Sequence, residues 1–264
     1  MTNFLKFIFI LLILINNLFA EDDEKALKIS TDAYNYDKGF SDSTSSSKMT
    51  LRNKQGEESI RYFRGKTLEV DGDGDKTLFI FDSPRDVKGT ATLTFTHKFD
   101  PDDTWLYLPA LKRVKRITSD NRSGSFVGSE FAYEDLGSQE LEKYKDRKYL
   151  KKEPCPKKEN LSCHVMSRVP TEKSSGYKYQ VLWMDDTKAH KVWKIDYYDR
   201  KGSHLKTLFF GDYKVYNEKH WRPGTFKMIN HQTGKSTDLL VENIKFKVGL
   251  GPRDFNKKTL SRAR

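Results

Sequence analysis

Residues 89–99 read GTATLTFTHKF, and the fold of the chain is first visible in this stretch. Threonine occupies every even position from 90 to 96, whereas the odd positions carry Ala91, Leu93, Phe95 and His97. A period of two places successive side chains on opposite faces of a β-strand. The stretch therefore predicts a strand with one threonine face and one mainly apolar face, as in an antiparallel sheet.

The same alternation recurs through most of the chain. In Asn243–Val248, isoleucine, phenylalanine and valine alternate with asparagine and lysine, and similar runs cover residues 59–70, 77–81, 148–152, 164–169, 177–183, 192–198, 204–213 and 225–230. Turn sequences separate many of these runs, at residues 71–74 (DGDG), 199–202 (DRKG) and 231–234 (HQTG). The sequence therefore predicts a mainly β protein with roughly ten strands in a large, curved antiparallel sheet.

Two helices and one loop are predicted outside these strands. The first helix is expected at Glu24–Tyr36, because acidic residues favour a helix N-terminus. A second helix is expected within Phe131–Tyr144. The serine-rich patch Ser41–Ser47 is expected to be a loop before the first strand.

The first 20 residues have the layout of a secretory signal peptide. Lys6 precedes an apolar run from Phe7 to Ile15, and the small residue Ala20 closes the segment. The alternative is an inner-membrane anchor, although Asn16 and Asn17 interrupt the run before the roughly 18 apolar residues that a span needs. We expect cleavage after Ala20, export to the periplasm, and one mature domain at residues 21–264.

The chain is basic, with a formal net charge of +11. Loss of residues 1–20 removes one positive charge, Lys6, and leaves +10. A charge of this size favours contact with anionic membrane headgroups, acidic glycans or nucleic acid. Export makes nucleic acid the least expected of these partners.

Cys155 and Cys163 are the two cysteines of the chain. In an exported protein such a pair predicts a disulfide. The short polar segment between them is compatible with a hairpin, and the spacing is not the C-x-x-C of a redox site.

Motifs for catalysis and for metal binding are incomplete. Residues 124–128 (GSFVG) carry phenylalanine where a nucleophile elbow needs serine, and residues 234–236 (GKS) lack the earlier glycine of a phosphate-binding loop. The acidic loop at Asp71 lacks the glycine and glutamate of a calcium-binding EF-hand, and the histidines lack zinc-ligand spacing. The sequence therefore predicts a protein that is not an enzyme and that needs no metal or cofactor.

Three stretches together resemble a known family. Residues 86–94 read DVKGTATLT, residues 103–117 read DTWLYLPALKRVKRI, and residues 125–136 read SFVGSEFAYEDL. They resemble the signature of the LolA-like family of outer membrane lipoprotein-sorting proteins, which departs from this chain at Lys115, Val127 and Glu130. The strong match covers roughly residues 77–136.

The resemblance implies a half-open antiparallel β-barrel of roughly ten or eleven strands, with helices across its mouth. It also implies an apolar cavity for acyl chains and an association with RND-type lipid exporters. The expected function is a periplasmic carrier of lipid or lipoprotein acyl chains toward the outer membrane. A sensor or interaction module of the same fold, or a binder of acidic envelope glycans, is the alternative.

The candidate cavity residues come from the matching stretches. Aromatic and aliphatic side chains alternate in the strand Trp105–Leu111, so either one face is simply core or one face lines the cavity. The loop Phe126–Gly128 is either a mobile apolar lid or a buried plug. The predicted ligand-binding residues are Trp105, Leu106, Tyr107, Leu108, Leu111 and Phe126.

The basic run that follows offers a second candidate surface. Its positive charges lie on both faces of a strand, so they cannot all point into a dry core. A solvated sheet edge is one interpretation, and a docking surface for lipid phosphates or an acidic partner protein is the other. The residues concerned are Lys112, Arg113, Lys115 and Arg116.

Overall fold

A computed structural model describes residues 21–258 and 260–262 of the chain. The predicted signal peptide at residues 1–20 lies outside the described residues. Within the described part, one α-helix is followed by fifteen β-strands and several short 3-10 turns. The protein is thus mainly β, as the alternating sequence pattern predicts.

The helix α1 covers residues 21–37, close to the expected range. Ala26, Ile29 and Ala33 recur at helical spacing and pack against the sheet as one apolar face. Gly39 lies just beyond the helix with φ of +91°, in the left-handed region that favours glycine. The chain therefore turns there into the first strand.

From residue 58 onward most strands overlap a predicted alternating run, but several are longer, β12 and β13 were not predicted, and the expected strand Trp105–Leu111 ends at Leu108. The strands are β1 (Asp42–Arg52), β2 (Glu58–Leu68), β3 (Lys76–Ser83), β4 (Ala91–Phe95), β5 (Asp103–Leu108), β6 (Arg113–Ile117), β7 (Tyr144–Cys155), β8 (Lys158–Pro170), β9 (Tyr177–Asp185), β10 (Val192–Asp199), β11 (His204–Gly211), β12 (Lys214–Tyr216), β13 (His220–Arg222), β14 (Thr225–Asn230) and β15 (Ser236–Phe246). The 3-10 turns are Pro109–Leu111, Ser119–Asn121, Phe126–Gly128, Tyr133–Asp135, Leu141–Lys143, Pro252–Asp254 and Leu260–Arg262.

Thirteen of these strands form one antiparallel sheet, in the order β6-β5-β4-β3-β2-β1-β15-β14-β11-β10-β9-β8-β7. Strands β12 and β13 pair separately as a small hairpin. The edge strands β6 and β7 do not pair with each other, so the sheet is an open half-barrel, and the predicted fold class is confirmed. It has more strands than the ten or eleven expected.

The serine-rich patch is part of a central strand, so its prediction as a loop was wrong. Residues 42–47 belong to β1, which pairs with β2 on one side and with β15 on the other. Serine has no strong preference for strands, but sheet propensity depends on context. Two neighbouring strands satisfy the backbone of β1, and this outweighs the local preference of its side chains.

The expected second helix within Phe131–Tyr144 is also absent. The segment contains only the 3-10 turns Tyr133–Asp135 and Leu141–Lys143. Its side chains bind neighbouring parts of the chain: Glu134 accepts hydrogen bonds from Ser175 and from the Gly176 backbone, in the loop between β8 and β9. These anchors hold the segment in an extended path that a continuous helix could not follow.

Buried ion pairs tie the two halves of the open sheet together. Arg122, in the segment that links β6 to β7, is 2.5 Å from a carboxylate oxygen of Asp102 and 2.5 Å from one of Glu172. Lys143 lies 2.6 Å from the second Asp102 oxygen. Asp102 precedes β5 and Glu172 follows β8, so these contacts connect opposite halves of the sheet.

The two faces of the sheet are covered differently. The inner face, which carries Met49, Phe63 and Leu182, packs against α1 and residues 118–143. On the outer face, the C-terminal segment covers a separate cluster of β3, β4 and β5 residues through Leu250, Phe255 and Leu260. The functional question therefore concerns what lies between α1 and the inner face.

Candidate functional site

A cavity of about 890 Å³ lies between α1 and the inner face of the sheet. Helix α1 contributes Ala33 and Tyr34 to its lining, and the segment linking β6 to β7 contributes Phe126 and Phe131. The sheet supplies most of the other apolar residues, among them Met49, Phe63, Phe79, Met166, Leu182, Met184, Ile195, Leu208, Phe210, Phe226 and Leu239. The wall is thus mostly aliphatic and aromatic.

Small side chains on β1 leave much of this volume empty. Ser43, Ser45 and Ser47 alternate along the strand and line the cavity. Gly65 on β2 pairs with Ser45, and a Cβ atom added there would come within 2.8 Å of the Ser45 Oγ atom. From Ser43 to Ser47, therefore, β1 has no large side chain to fill the space beneath α1.

Phe126 is the one predicted cavity residue that the structure places at the cavity. It is fully buried, and its ring centroid lies 6.0 Å from that of Phe79 and 5.7 Å from that of Phe81. The Ser129 backbone N–H and hydroxyl both donate to the Phe126 carbonyl, which closes the loop tightly. Of the two interpretations of this loop, the structure shows the buried plug.

The other predicted cavity residues lie elsewhere. Trp105 packs on the outer face against Phe95 and the C-terminal segment, and Tyr107 borders the same cluster. Leu106 and Leu108 are on the opposite face of β5 but outside the cavity lining, and Leu111 is 63% exposed. Alternation correctly predicted the two faces of β5, but not that the C-terminal segment would cover one of them.

The basic run lies at an open edge of the sheet. Arg113, Lys115 and Arg116 are exposed on the edge strand β6, and Lys112 is exposed in the turn before it. Arg116 pairs with Asp103 of the neighbouring strand. The other three cations form no ion pair with the residues that the structure describes, and their role as a docking site stays a prediction.

Acidic groups gather where the end of α1 meets the cavity. The Tyr34 hydroxyl donates to a carboxylate oxygen of Glu140 at 2.7 Å, which links α1 to the segment between β6 and β7. Burial raises the pKa of Asp75 to about 7, and the nearby charge of Glu140 adds to the effect. At this corner of the site, therefore, the Asp75 carboxyl group resists ionisation.

Two arginines line the cavity on the side of β7 and β8. Arg147 and Arg168 belong to these strands, and burial lowers the pKa of both guanidinium groups. Sequence reasoning missed Arg147 because it lies in residues 144–152 (YKDRKYLKK), where five of nine residues are basic. Nothing in that run distinguishes an inward arginine from its solvated neighbours.

Cys155 and Cys163 form a disulfide across the β7–β8 hairpin, with Cα atoms 4.9 Å apart. They pack with Val165, Trp183 and Trp193 in a cluster of their own, away from the cavity. In residues 21–258 and 260–262, no group of three or more His, Cys, Asp or Glu side chains is arranged to hold a metal ion. No helix in that part of the chain has the length and hydropathy of a membrane span.

Comparison with known proteins shows which family has this architecture. A family model described as an uncharacterized protein matches residues 73–262. A solved outer membrane lipoprotein-sorting protein domain from Vibrio parahaemolyticus is 51% identical, with a TM-score of 0.87 over 91% of this chain and 100% of that one. No curated protein sequence matches this chain.

Two further solved structures have the same fold. A DUF1329 family protein from Desulfovibrio piger is 26% identical, with a TM-score of 0.84 over 90% of this chain and 99% of that one. A LolA superfamily protein from Nitrosomonas europaea is 16% identical, with a TM-score of 0.70 over 88% of this chain and 98% of that one. The second likeness concerns the fold alone.

Proposed function

Since the chain belongs to the LolA-like family of outer membrane lipoprotein-sorting proteins, we propose that it carries acyl chains in the cavity under α1. The cargo in this proposal is a lipid, or the acyl chains of a lipoprotein. The protein binds and releases it without chemical change, and so assists its transfer toward the outer membrane.

The observation that carries this proposal is the size and character of the cavity. Sites for small apolar ligands usually measure about 300–1,000 Å³ and are lined by hydrophobic and aromatic side chains. The cavity of about 890 Å³ is in this range, and its wall is apolar over most of the sheet. An apolar cavity holds water poorly, which favours filling by a ligand.

The energetics of transfer explain why such a cavity is useful. Exposing an acyl chain to water costs about 0.8 kcal/mol for each CH₂ group. A carrier that covers the chain removes most of this cost during passage through an aqueous compartment. No catalytic group is needed, because the acyl chain leaves the cavity unchanged.

The remaining parts of the proposal concern location and partners. In this scheme the protein works in the periplasm, receives its cargo from an RND-type exporter and touches membrane surfaces briefly. The support is the family resemblance together with the exposed cations Lys112, Arg113 and Lys115 at the sheet edge. An anionic membrane surface attracts such a cluster.

Filling the cavity tests the proposal directly. Ser45→Leu puts an apolar side chain into the cavity, and Ser46→Leu puts the same side chain on the outer face of the same strand. We expect Ser45→Leu to weaken the binding of a fluorescent fatty acid roughly tenfold or more, and Ser46→Leu to leave it nearly unchanged. Titration by fluorescence gives the affinity, and circular dichroism with thermal melting verifies the fold of each variant.

Two measurements extend the test to cargo and transfer. Native mass spectrometry of protein isolated from a periplasmic fraction should find a bound acyl compound. Deletion of the gene should impair delivery of that compound to the outer membrane, whereas a sensor would leave delivery intact. A folded protein that arrives without lipid and binds no acyl ligand contradicts the carrier proposal.

A further inference from the structure

We propose that Arg147 and Arg168 form a binding site for the anionic headgroup of the ligand. The site rests on the proposed function, because the acyl chain occupies the same cavity. It narrows the cargo to amphiphiles whose headgroup carries a carboxylate or a phosphate. A neutral acyl compound fits the apolar wall equally well but leaves the two guanidinium groups without a counter-charge.

The backbone brings both side chains to the cavity. Arg147 lies at a β-bulge, since the pairing of β7 with β8 is interrupted between Lys145 and Lys148. The preceding residue, Asp146, has φ of +49°. A bulge re-aims a side chain relative to the regular alternation of the strand. Arg147 therefore faces the cavity, whereas Lys145 and Lys148 are exposed.

The hydrogen-bond partners of Arg147 are neutral. One Nη atom donates to the Tyr144 carbonyl at 2.7 Å, and the other donates to the Leu141 carbonyl. Its buried Nε atom has no hydrogen-bond partner among the described residues, 21–258 and 260–262. Glu142 is the carboxylate whose charge acts on Arg147, but the two groups form no ion pair.

The surroundings of Arg168 are neutral as well. Its Nε atom donates to the side-chain oxygen of Gln180 at 2.8 Å, and an Nη atom donates to that of Gln139 at 2.6 Å. Its guanidinium carbon lies 3.5 Å from the ring centroid of Tyr144. These contacts orient the guanidinium group without neutralising its charge.

Two other buried cations, by contrast, have carboxylate partners. Arg122 pairs with two carboxylates, and Lys206 pairs with Asp135 at 2.7 Å. Burial lowers the pKa of Arg147, and repulsion from Arg168 lowers it further. A bound anion offsets both the desolvation and the repulsion. Guanidinium groups are suited to this task because their planar donors match carboxylate and phosphate oxygens.

Strand register places this polar site directly beside an apolar track. Arg168, Gln180 and Tyr197 are paired neighbours on β8, β9 and β10. A second row of paired neighbours lies two residues further along each strand and therefore on the same face. It consists of Met166, Leu182, Ile195 and Leu208. A headgroup held at the first row leaves its acyl chain along the second, toward the middle of the cavity.

A competition assay tests the assignment. A fluorescent monoacylglycerol bound to the full protein is displaced by palmitate, by palmitoyl lysophosphatidate or by monopalmitoylglycerol, which share one acyl chain. We expect both anions to bind at least about tenfold more tightly than the neutral compound. In Arg147→Gln/Arg168→Gln this advantage should vanish, while the affinity for monopalmitoylglycerol stays within about twofold.

The control variant is Arg64→Gln, which removes an exposed arginine of the outer face and should keep the full preference. Inorganic phosphate alone should not displace the probe at millimolar concentration. If millimolar phosphate abolishes the tighter binding of palmitate relative to monopalmitoylglycerol, the site binds a free anion rather than a headgroup. Thermal melting verifies folding, and the single variant Arg147→Gln replaces the double variant if that one unfolds.

The outcomes separate the two proposals. Equal binding of anionic and neutral compounds by the wild-type protein overturns the headgroup site and leaves the carrier function standing. An unchanged anion preference in a folded double variant overturns the assignment to these two arginines. Failure of every acyl compound to bind overturns the carrier function itself.

Discussion

Two apolar regions of the sheet are covered in opposite ways. The outer face of β3, β4 and β5 is the closed half, and the inner face beneath α1 is the open half. On the outer face of β3, β4 and β5, the C-terminal segment packs Phe255 and Leu260 directly against Leu93 and Trp105, and the contact is filled. On the inner face, α1 spans strands that carry serine in the middle, and a cavity of about 890 Å³ remains. A strand with an apolar face is therefore compatible with either a closed core or an open site.

The difference depends on the size of the side chains opposite the covering element. Close packing is the normal state of a protein interior, and empty apolar volume is destabilising. The closed half reaches that state with its own side chains, whereas in the proposed function a ligand fills the open half. The following changes should affect one half and leave the other nearly untouched.

The largest effect is expected from Trp105→Ala in the closed half. Loss of a buried tryptophan should lower the free energy of unfolding by about 3–5 kcal/mol, because the C-terminal segment cannot collapse into the space. Urea denaturation measures the change, and Leu111→Ala, at an exposed position, should cost less than about 0.5 kcal/mol. At a temperature where the variant stays folded, its acyl binding should match the wild type. A large loss of binding would show that the two halves are coupled.

A smaller effect is expected from the basic edge of the closed half. Replacing Lys112, Arg113 and Lys115 by glutamine should weaken binding to vesicles that contain anionic phospholipid, by up to about 1 kcal/mol for each charge. Stability should change by less than about 0.5 kcal/mol, since these side chains are exposed. Co-sedimentation with vesicles measures the binding. The control is the same replacement by glutamine at Lys145, Lys148 and Lys151, on the opposite edge of the sheet. An equal loss of vesicle binding in the control would show that binding depends only on net charge.

The smallest effect is expected at the rim of the open half. The Asp75 carboxyl has an ordinary pKa of 3.8 and a pKa of about 7 in the folded protein. A raised pKa means that the folded state favours the protonated form of Asp75, so the contribution of this carboxyl group to stability is fully present below about pH 4. It is lost as the pH rises toward 7.

Asp75→Asn removes this dependence. The variant should be more stable than the wild type at pH 8, by on the order of 1 kcal/mol after allowance for solvent screening, and the difference should shrink below pH 4. Thermal melting at several pH values provides the measurement. The control is Asp71→Asn, at an exposed position of the same turn. Its difference in stability from the wild type should change less with pH. An Asp75→Asn variant less stable than the wild type at pH 8 would mean that the carboxylate is needed there.

Local pattern was sufficient for much of the architecture. The period of two in residues 89–99 predicted β4 and its two faces, and the helical spacing of Ala26, Ile29 and Ala33 matches α1. These features depend on neighbours along the chain, because side-chain direction in a strand or helix follows from backbone geometry alone. For the same reason the spacing of Cys155 and Cys163 was compatible with a hairpin.

Features that depend on distant neighbours could not be predicted in this way. The patch Ser41–Ser47 has the composition of a loop, but two partner strands make it the floor of the cavity. Phe126 lies at the cavity, whereas Trp105 lies in the outer-face cluster, because nothing local showed where the C-terminal segment would pack.

The sequence by itself determined the class of fold, the alternation of most strands and the family. The tertiary structure decided which face was filled, which stayed open, and which basic residues turned inward. Arg147 illustrates the reason, since one bulge separates it from the solvated lysines on either side. Alternation is a property of the strand, but burial and charge neutralisation depend on what the rest of the chain brings to it.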